Sequence, residues 1–451
     1  MSKDTMTITR KLQLVPIGDK EEVNRVYTFI RNGMYAQYVA SNFLMGELAA
    51  NFYAHNRDLS DDDYKLKMKE ILKYSNPILD NIEYPTGLAL KCSIIRKVQQ
   101  DFQISMRNGL AIGERTITNY KRTNPLLTEG RFIKFIHNYS SHMEFLDHLY
   151  KSDLSVQIKW VNKIKFDVVL GNPHKSEELR SVIKNIFEEN YKVCGSSIGI
   201  EKNKIILNLT LQIPKKVREL DENTVVGVDL GLINPAVCAL NNNKNARLYI
   251  GSADDFLRVR LQLQAQRKRL QKALSNTTGG HGRKKKLQAL DRLKKREKNF
   301  TQSYNHMISR KIVDFALKHN AKYINIENLE GYTDKSENNF ILRNWSYYQL
   351  QQYIQYKASM YGIDVRKVNP YNTSQICSYC GHYEEGQLVS QSQFICKNPN
   401  CESHKKDNKF INSDFNAARN IAKSTEWSTG KVSYQDAKKQ HDDKVEELKT
   451  E

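Results

Sequence analysis

The sequence predicts a multidomain α+β protein. A small β-barrel with an inserted helical block comes first, then a second domain of mixed strands and helices interrupted by a cysteine ribbon. Three observations carry that expectation. Apolar residues alternate near the N-terminus and again only beyond residue 160. Two pairs of closely spaced cysteines stand near the C-terminus. Three isolated carboxylates, Asp229, Glu327 and Asp414, sit at a strand centre, a strand end and a helix start.

Composition narrows the partner. The 451 residues hold 70 Lys and Arg against 50 Asp and Glu, a net charge of +20. Such an excess points to a polyanion, most simply nucleic acid, with a uniformly solvated basic surface as the alternative. The 24 tyrosines suit stacking on bases or sugars. No apolar run approaches the roughly 18 residues of a membrane span, and Met1–Pro16 lacks the apolar core of a signal peptide. The expectation is a cytoplasmic protein without a membrane partner, whose thiols stay reduced. The length suits about three domains.

Residues 6–17 alternate, with Met6, Ile8, Leu12 and Leu14 in one phase, and read as a strand. From Glu21 to about Arg122 the period becomes helical: Val23, Val26, Ile30 and Met34 recur at 3- and 4-residue steps. Pro77 and Pro85 mark breaks. Leu88–Gly113 repeats the pattern, with Lys91, Arg96, Lys97 and Arg107 expected on or beside its polar face. A phosphate-binding face and a merely solvated one share that pattern. Beyond Asn124-Pro125 the period returns to two, at Ile164–Leu170 and again at Ile205–Ile213, with a helix expected over Ser176–Asn190. Cys92, Cys194 and Cys238 stand alone and read as buried packing residues.

A new domain opens near Asn223. T-V-V-G-V-D-L-G gives a strand to Leu230, a turn at Gly231–Asn234, a strand to Leu240 and a third at Arg247–Ile250. Asp229 stands among Val225, Val226, Val228 and Leu230, where a carboxylate is costly unless paired or bound to metal. Two amphipathic helices follow, Ala253–Ala273 and Lys284–His319, parted by the hinge N-T-T-G-G-H-G. Thirteen Lys or Arg residues between Arg267 and Lys298 favour contact with a phosphate backbone. K-Y-I-N-I-E is a strand ending in Glu327; a helix over Trp345–Tyr361 and a strand over Val365–Val368 follow.

Cys377-x2-Cys380 and Cys396-x4-Cys401, fifteen residues apart, have the spacing of a tetrahedral Zn²⁺ site. Chance thiol pairs and a disulfide framework are the weaker readings. A closed four-thiolate site is structural, so no chemistry is expected at one Zn²⁺ held there. Asn412 or Ser413 can cap a helix carrying Asp414, which alone could be a dipole partner.

The three acids are 98 and 87 residues apart, in the order strand, strand, strand, helix, strand, helix, strand, helix. That is the order of a ribonuclease-H-like domain, whose acids converge at one sheet edge. Convergent carboxylates repel unless divalent cations neutralise them. Two Mg²⁺ ions about 3.5–4 Å apart would supply phosphodiester hydrolysis. No P-loop, H-E-x-x-H, G-x-S-x-G or dinucleotide fingerprint competes.

V-G-V-D-L-G (226–231), I-N-I-E-N-L (324–329), P-Y-N-T-S-Q-I-C-S-Y-C-G-H (370–382) and D-F-N-A-A-R-N-I (414–421) resemble the three RuvC segments and zinc ribbon of TnpB-type nucleases. Those transposon-encoded proteins are related to type V CRISPR effectors. Size, element order and the run S-S-I-G-I-E-K-N-K-I-I-L-N-L most resemble the miniature subtype V-F effectors. The motifs cover about residues 195–422; the N-terminal half matches in architecture only.

The resemblance implies a wedge strand at 1–20, a helical recognition domain at 21–119 and a wedge β-barrel at 120–215. It implies a RuvC-like nuclease at 222–369 and 411–423, a zinc ribbon at 370–410 and a charged tail at 424–451. It carries over Asp229, Glu327 and Asp414 as the catalytic, magnesium-binding acids and Cys377, Cys380, Cys396 and Cys401 as the zinc ligands. The implied function is an RNA-guided DNA endonuclease of antiviral defence, taking a guide RNA and a PAM-flanked double-stranded target. A TnpB-like nuclease using a transposon RNA is one alternative, and a non-catalytic nucleic-acid-binding regulator another. Relatives often carry an arginine in the ribbon insert, but residues 381–395 hold no Arg or Lys. Lys397, Lys405 and Arg419 remain as cations to load the strand, and His382 and His404 as competing ligands. A chain this small cannot easily enclose a guide–target duplex, and the resemblance implies a homodimer on one guide RNA, with the helical block and its aromatics Phe29, Tyr35, Tyr38 and Phe43 expected at the interface and core packing as the alternative for some of them.

Overall fold

A computed structural model describes residues 4–73, 79, 88–231, 234–328, 347–390, 392–405, 410–428, 430 and 434–450. Pro77, Pro85, Trp345 and the middle of the 231–234 turn lie outside them. The chain divides into two compact units, residues 1–214 and 215–451.

In the first unit, β1 (Thr5–Pro16) pairs antiparallel with β8 (Lys204–Pro214) from Thr5↔Pro214 to Leu14↔Ile205. The strictly alternating burial of β8 is what the period-two pattern required. The sheet adds β2 (Leu126–Thr128), β3 (Lys134–Ile136), β4 (Gln157–Lys159), β5 (Lys165–Val169), β6 (Lys192–Val193) and β7 (Ser196–Glu201). It runs β2-β7-β8-β1-β5-β4-β3, with β6 pairing β8. Among the described residues its end strands β2 and β3 do not pair, so the expected barrel is an open half-barrel.

The helical block lies between β1 and β2: α1 (Lys20–Ala54), α2 (Asp62–Ile71) and α3 (Leu88–Ser105). Asp19 and Glu22 form a capping box that starts α1. Ile30, Leu44, Met45, Phe52, Val98 and Phe102 fill its interior. Gln37 fastens α1 to the sheet, donating to the Pro125 carbonyl at 2.9 Å and accepting from the Leu127 amide at 2.8 Å. Two short helices complete the unit, α4 (His142–His148) and α5 (Glu177–Phe187).

Several expectations change here. Lys91 is buried, because it lies one helical turn from Ile94 and Ile95 on the apolar face. Of the four expected exposed aromatics only Tyr35 is exposed; Tyr38 and Phe43 are half-buried. Phe29 packs edge-on against Trp160 at 5.7 Å. Cys238 is buried, whereas Cys92 and Cys194 are half-buried.

The second unit holds a five-stranded sheet: β9 (Asp221–Asp229), β10 (Ala236–Leu240), β11 (Arg247–Ile250), β12 (Ala321–Glu327) and β13 (Asp364–Val368). Its order is β11-β10-β9-β12-β13, with β12 parallel to both β9 and β13. Four helices accompany the sheet: α6 (Ala253–Ser275), α7 (Gly280–Lys318), α8 (Tyr347–Ser359) and α9 (Ser413–Lys423). A terminal α10 (Tyr434–Thr450) gives structure to the charged tail. The helix α7 begins at Gly280, inside the expected hinge. Arg283 and Lys286 reach back to the carbonyls of Leu274, Thr277 and Ala273, which shortens the turn.

Both faces of this sheet are covered. Val226, Val228, Ile324 and Ile326 bury one face with Ile308, Ile312, Leu350 and Ile354 of α7 and α8. Strand period two therefore turns Gly227, Asp229, Asn325 and Glu327 to the other face, where α9 lies. There a Cβ on Gly227 would come within 2.0 Å of the Ala418 carbonyl oxygen. Only glycine lets helix and strand approach so closely.

Candidate active site and thiolate cluster

Asp229 and Glu327 end neighbouring parallel strands. Ile326 pairs with Val228, so the two acids occupy the next register position side by side. Asp414 comes from the first turn of α9, which Asn412 caps by accepting from the Phe415 amide at 2.9 Å. A Cβ at Gly231 would stand 3.5 Å from an oxygen of Asp229 and 3.5 Å from one of Asp414, which holds those two oxygens within about 7 Å. The structure thus brings together three residues spread over 186 positions of chain.

The electrostatics are those of uncompensated negative charge. Among the described residues no Lys, Arg or His forms an ion pair with any of the three acids. Burial and then the neighbouring Glu327 and Asp414 charges hold Asp229 well above the usual carboxylate range. Burial pushes Glu327 up to about 7 against the lowering bond from Thr373. Burial also raises Asp414, against bonds from Asn234 and Ser413. Burial and then the charges of Asp229 and Glu327 raise the nearby Tyr347 phenol.

The residues that orient the acids were not legible as such. The Thr373 hydroxyl donates to Glu327 Oε1 at 2.6 Å, and Gln351 Nε2 donates to the Glu327 carbonyl at 3.0 Å. Asn234 Nδ2 donates to Asp414 Oδ2 at 3.3 Å. Thr373 lay inside P-Y-N-T-S-Q-I-C, where its closeness in space to Glu327 leaves no trace in either local pattern.

The four cysteines form a second centre. Their sulfurs all lie within 4.8 Å of one another, with neither His382 nor His404 in the group. Sγ–Sγ distances of 3.7 Å (Cys377–Cys401) and 3.6 Å (Cys380–Cys396) leave them free thiols. A tetrahedral ion with Zn–S near 2.3 Å needs edges of about 3.8 Å, so the donor set fits zinc. The Ser403 hydroxyl donates to Cys401 Sγ at 3.1 Å. Burial raises the Cys401 thiol, but bonds from Ser403, Cys380 and Cys377 together bring it to about 7; burial pushes Cys377 to about 11.

The helix α9 joins the two centres. Asn416 accepts from the Ser378 amide at 2.8 Å and donates to the Ile376 carbonyl at 2.7 Å. One turn on, Asn420 donates to the carbonyls of Thr373 and Ile376. Of the expected strand-loading cations, Lys397 is held by Glu384 at 3.0 Å and by the Glu385 carbonyl at 2.6 Å. Lys397 nonetheless keeps an exposed side chain, whereas Arg419 is 1% exposed, 4.5 Å over the Tyr379 ring, and so does not stand open to solvent. The Lys405 side chain lies outside the described residues.

Two family profiles match: "Cas12f1-like, TNB domain" over residues 347–421 and "Probable transposase" over residues 208–333. The chain is 29% identical to a CRISPR-associated endodeoxyribonuclease Cas12f1 of Sulfoacidibacillus thermotolerans, over 83% of this chain and 88% of that protein. It is 33% identical to a Cas12f1 of an uncultured archaeon, covering 55% of this chain and 48% of that one. A TnpB-like protein of Methanocaldococcus jannaschii is 32% identical over 53% of this chain and 84% of its own length. Among solved structures, a Cas12f1–sgRNA–target DNA complex superposes with a TM-score of 0.68 at 19% identity, covering 93% of this chain and 99% of that one, a likeness of fold.

Proposed function

Because the chain belongs to the family of TnpB-like proteins and miniature type V-F CRISPR endonucleases, we propose that it is an RNA-guided DNA endonuclease. On this reading it takes a guide RNA and a PAM-flanked double-stranded target, and sequence is read by base pairing. The observation that carries the reading is the convergence of Asp229, Glu327 and Asp414 on one sheet edge with no cationic partner among the described residues. That arrangement is unfavourable for a protein alone and suits divalent cations.

Asp229, Glu327 and Asp414 would hold two Mg²⁺ ions, which when bound supply an activated water and a stabilised leaving oxygen. The chain's own residues prepare the ground. Thr373 and Gln351 fix the Glu327 carboxylate from its side chain and its backbone, and Asn234 turns Asp414 toward its partners. Cys377, Cys380, Cys396 and Cys401 would hold one zinc as a purely structural clamp, which α9 ties to the acid site through Asn416 and Asn420.

The five-stranded sheet and its helices are the RuvC-like, ribonuclease-H-like part on this reading. The half-barrel is the wedge domain and the helical block the recognition domain. Two chains would share one guide RNA. A transposon-derived guide is the second reading, favoured by the coverage of the TnpB-like relative.

Sequencing the RNA that copurifies with the chain decides between repeat-derived and transposon-end guides. Guided cleavage of plasmid DNA tests the activity. Asp229→Ala, Glu327→Ala and Asp414→Ala should each abolish cutting while guided binding stays within a few fold, since affinity comes from pairing and cationic contacts. Robust cutting by any one of them removes that residue from the site.

A further inference from the structure

The face of α9 that meets the cysteine ribbon carries Asn416, Arg419, Asn420 and Lys423, the i, i+3, i+4 and i+7 positions of one helical stripe. Three of the four are hydrogen-bonded to the first cysteine turn. Asn416 and Asn420 both donate to the Ile376 carbonyl, Asn416 also accepts from the Ser378 amide, and Lys423 Nζ donates to the Ser378 carbonyl at 2.7 Å. Arg419 makes no such bond. Its guanidinium lies 4.5 Å over the ring of Tyr379, which stands inside the Cys377-x2-Cys380 turn, and 6.0 Å from the Phe415 ring.

Arg419 is 1% exposed, and its Nε and Nη1 have no acceptor among the described residues. Arg180, equally buried, shows what such a group ordinarily requires. It donates to Ser176 Oγ and to the carbonyls of Leu149, Lys151 and Gly171. Nor does any carboxylate among the described residues pair with Arg419; on the ribbon, Glu384 is held by Lys397 and Glu402 by Lys244. Aromatic faces offset a cation only in part, and a buried charge without a counter-charge is costly.

The cysteine cluster has the opposite deficit once loaded. Zn²⁺ on four thiolates carries a net charge of −2. Cys377, Cys396 and Cys401 are at most 2% exposed and packed among Val237, Phe394, Ile411 and Phe415, so water screens that charge poorly. We propose that Arg419 is the built-in counter-charge of the zinc-loaded ribbon, a residue outside the ligand set that makes the metal slow to leave. Lys423, bonded to the same turn from the exposed rim of α9, supplies the second positive charge and brings the sum to zero. The inference deepens the four-thiolate zinc reading and rests on it. It also gives the buried guanidinium a reason to be there, since its partner forms only when the metal gathers the four sulfurs.

The test uses the full chain, as wild type, Arg419→Met and Arg419→Lys. Transfer of zinc to the chromogenic chelator 4-(2-pyridylazo)resorcinol is timed, and melting is followed with zinc bound and after stripping with EDTA. Arg419→Met keeps the bulk and loses the charge, so zinc should leave about 10-fold faster or more, whereas Arg419→Lys should stay near wild type. The zinc-loaded methionine variant should melt below wild type, and the stripped one at or above it, because an unpartnered charge has gone. Equal destabilisation with and without zinc means a packing role and overturns the inference, as does zinc held equally long by all three chains. Arg419→Lys releasing zinc as fast as Arg419→Met overturns it too. Should Arg419→Met not fold, Lys423→Gln decides: faster transfer than wild type supports the counter-charge, and an unchanged rate refutes it. A wild-type chain that takes up no zinc at all refutes the four-thiolate reading itself, a result distinct from any of these.

Discussion

Replacing Glu327 by glutamine should stabilise the metal-free protein above neutral pH, even though it removes a proposed catalytic acid. Glu327 is 8% exposed and pushed from an ordinary 4.5 up to about 7, chiefly by burial. A carboxyl raised on folding is neutral in both states below about pH 4.5. It costs progressively more as pH climbs, until the folded pKa near 7 is passed. Stability linked to this group is therefore present in acid and lost between about pH 4.5 and 7. Between an ordinary 4.5 and about 7 the cost comes to about 3 kcal/mol, at about 1.36 kcal/mol for each tenfold change in proton affinity. Glutamine keeps the shape and still accepts from Thr373, but carries no charge. In EDTA at pH 8, Glu327→Gln should melt about 6–12 °C above wild type, and at pH 4.5 the two should coincide. Adding Mg²⁺ at pH 8 should raise the wild-type midpoint and close the gap. Scanning calorimetry at both pH values reads this. A variant no more stable than wild type at pH 8 would refute the claim that the acid site is a strained, metal-awaiting cluster.

Three further outcomes are expected. Metal analysis of fresh protein should give one zinc per chain, and Cys377→Ser/Cys401→Ser should lose both the zinc and the ordered ribbon; a variant that keeps zinc would dismiss the four-thiolate assignment. Gly227→Ala should cost several kcal/mol and abolish cutting, because its Cβ would fall 2.0 Å from the Ala418 oxygen and 2.3 Å from the Ala422 nitrogen. Limited proteolysis that finds α9 as protected as in wild type would contradict that. Mass photometry of the reconstituted particle should weigh two 52.4 kDa chains with one RNA, and a fully active particle of one chain and one RNA would end the dimer proposal.

What was legible followed the physics of periodicity. Long or strongly patterned elements such as β8, β9 and α7 declare themselves, because a single buried face repeats over many residues. The acids and cysteines were visible for a different reason: each is costly where it stands unless something else completes it. The three-residue strands β2, β3 and β4 and the helix His142–His148 were missed, since their partners lie far along the chain and no local period survives in so few residues. Thr373 and Asn234 were missed for the same reason, as their role exists only after folding. Phe29 was misjudged because an aromatic on a helix flank reads alike whether it meets solvent or Trp160.

The contact between Gly227 and α9 also sets when the proposed acid site becomes complete during synthesis. Asp229 and Asp414 are separated by 185 residues of chain. At about 5–20 residues per second, a ribosome delivers the second some 10–40 s after the first. Throughout that interval the face of β9 that α9 will cover is bare, and the acid set lacks a member. On the proposed assignment of the acids, a nascent chain can begin to gather its RNA before it can cut, and the last helix of the sheet completes the site.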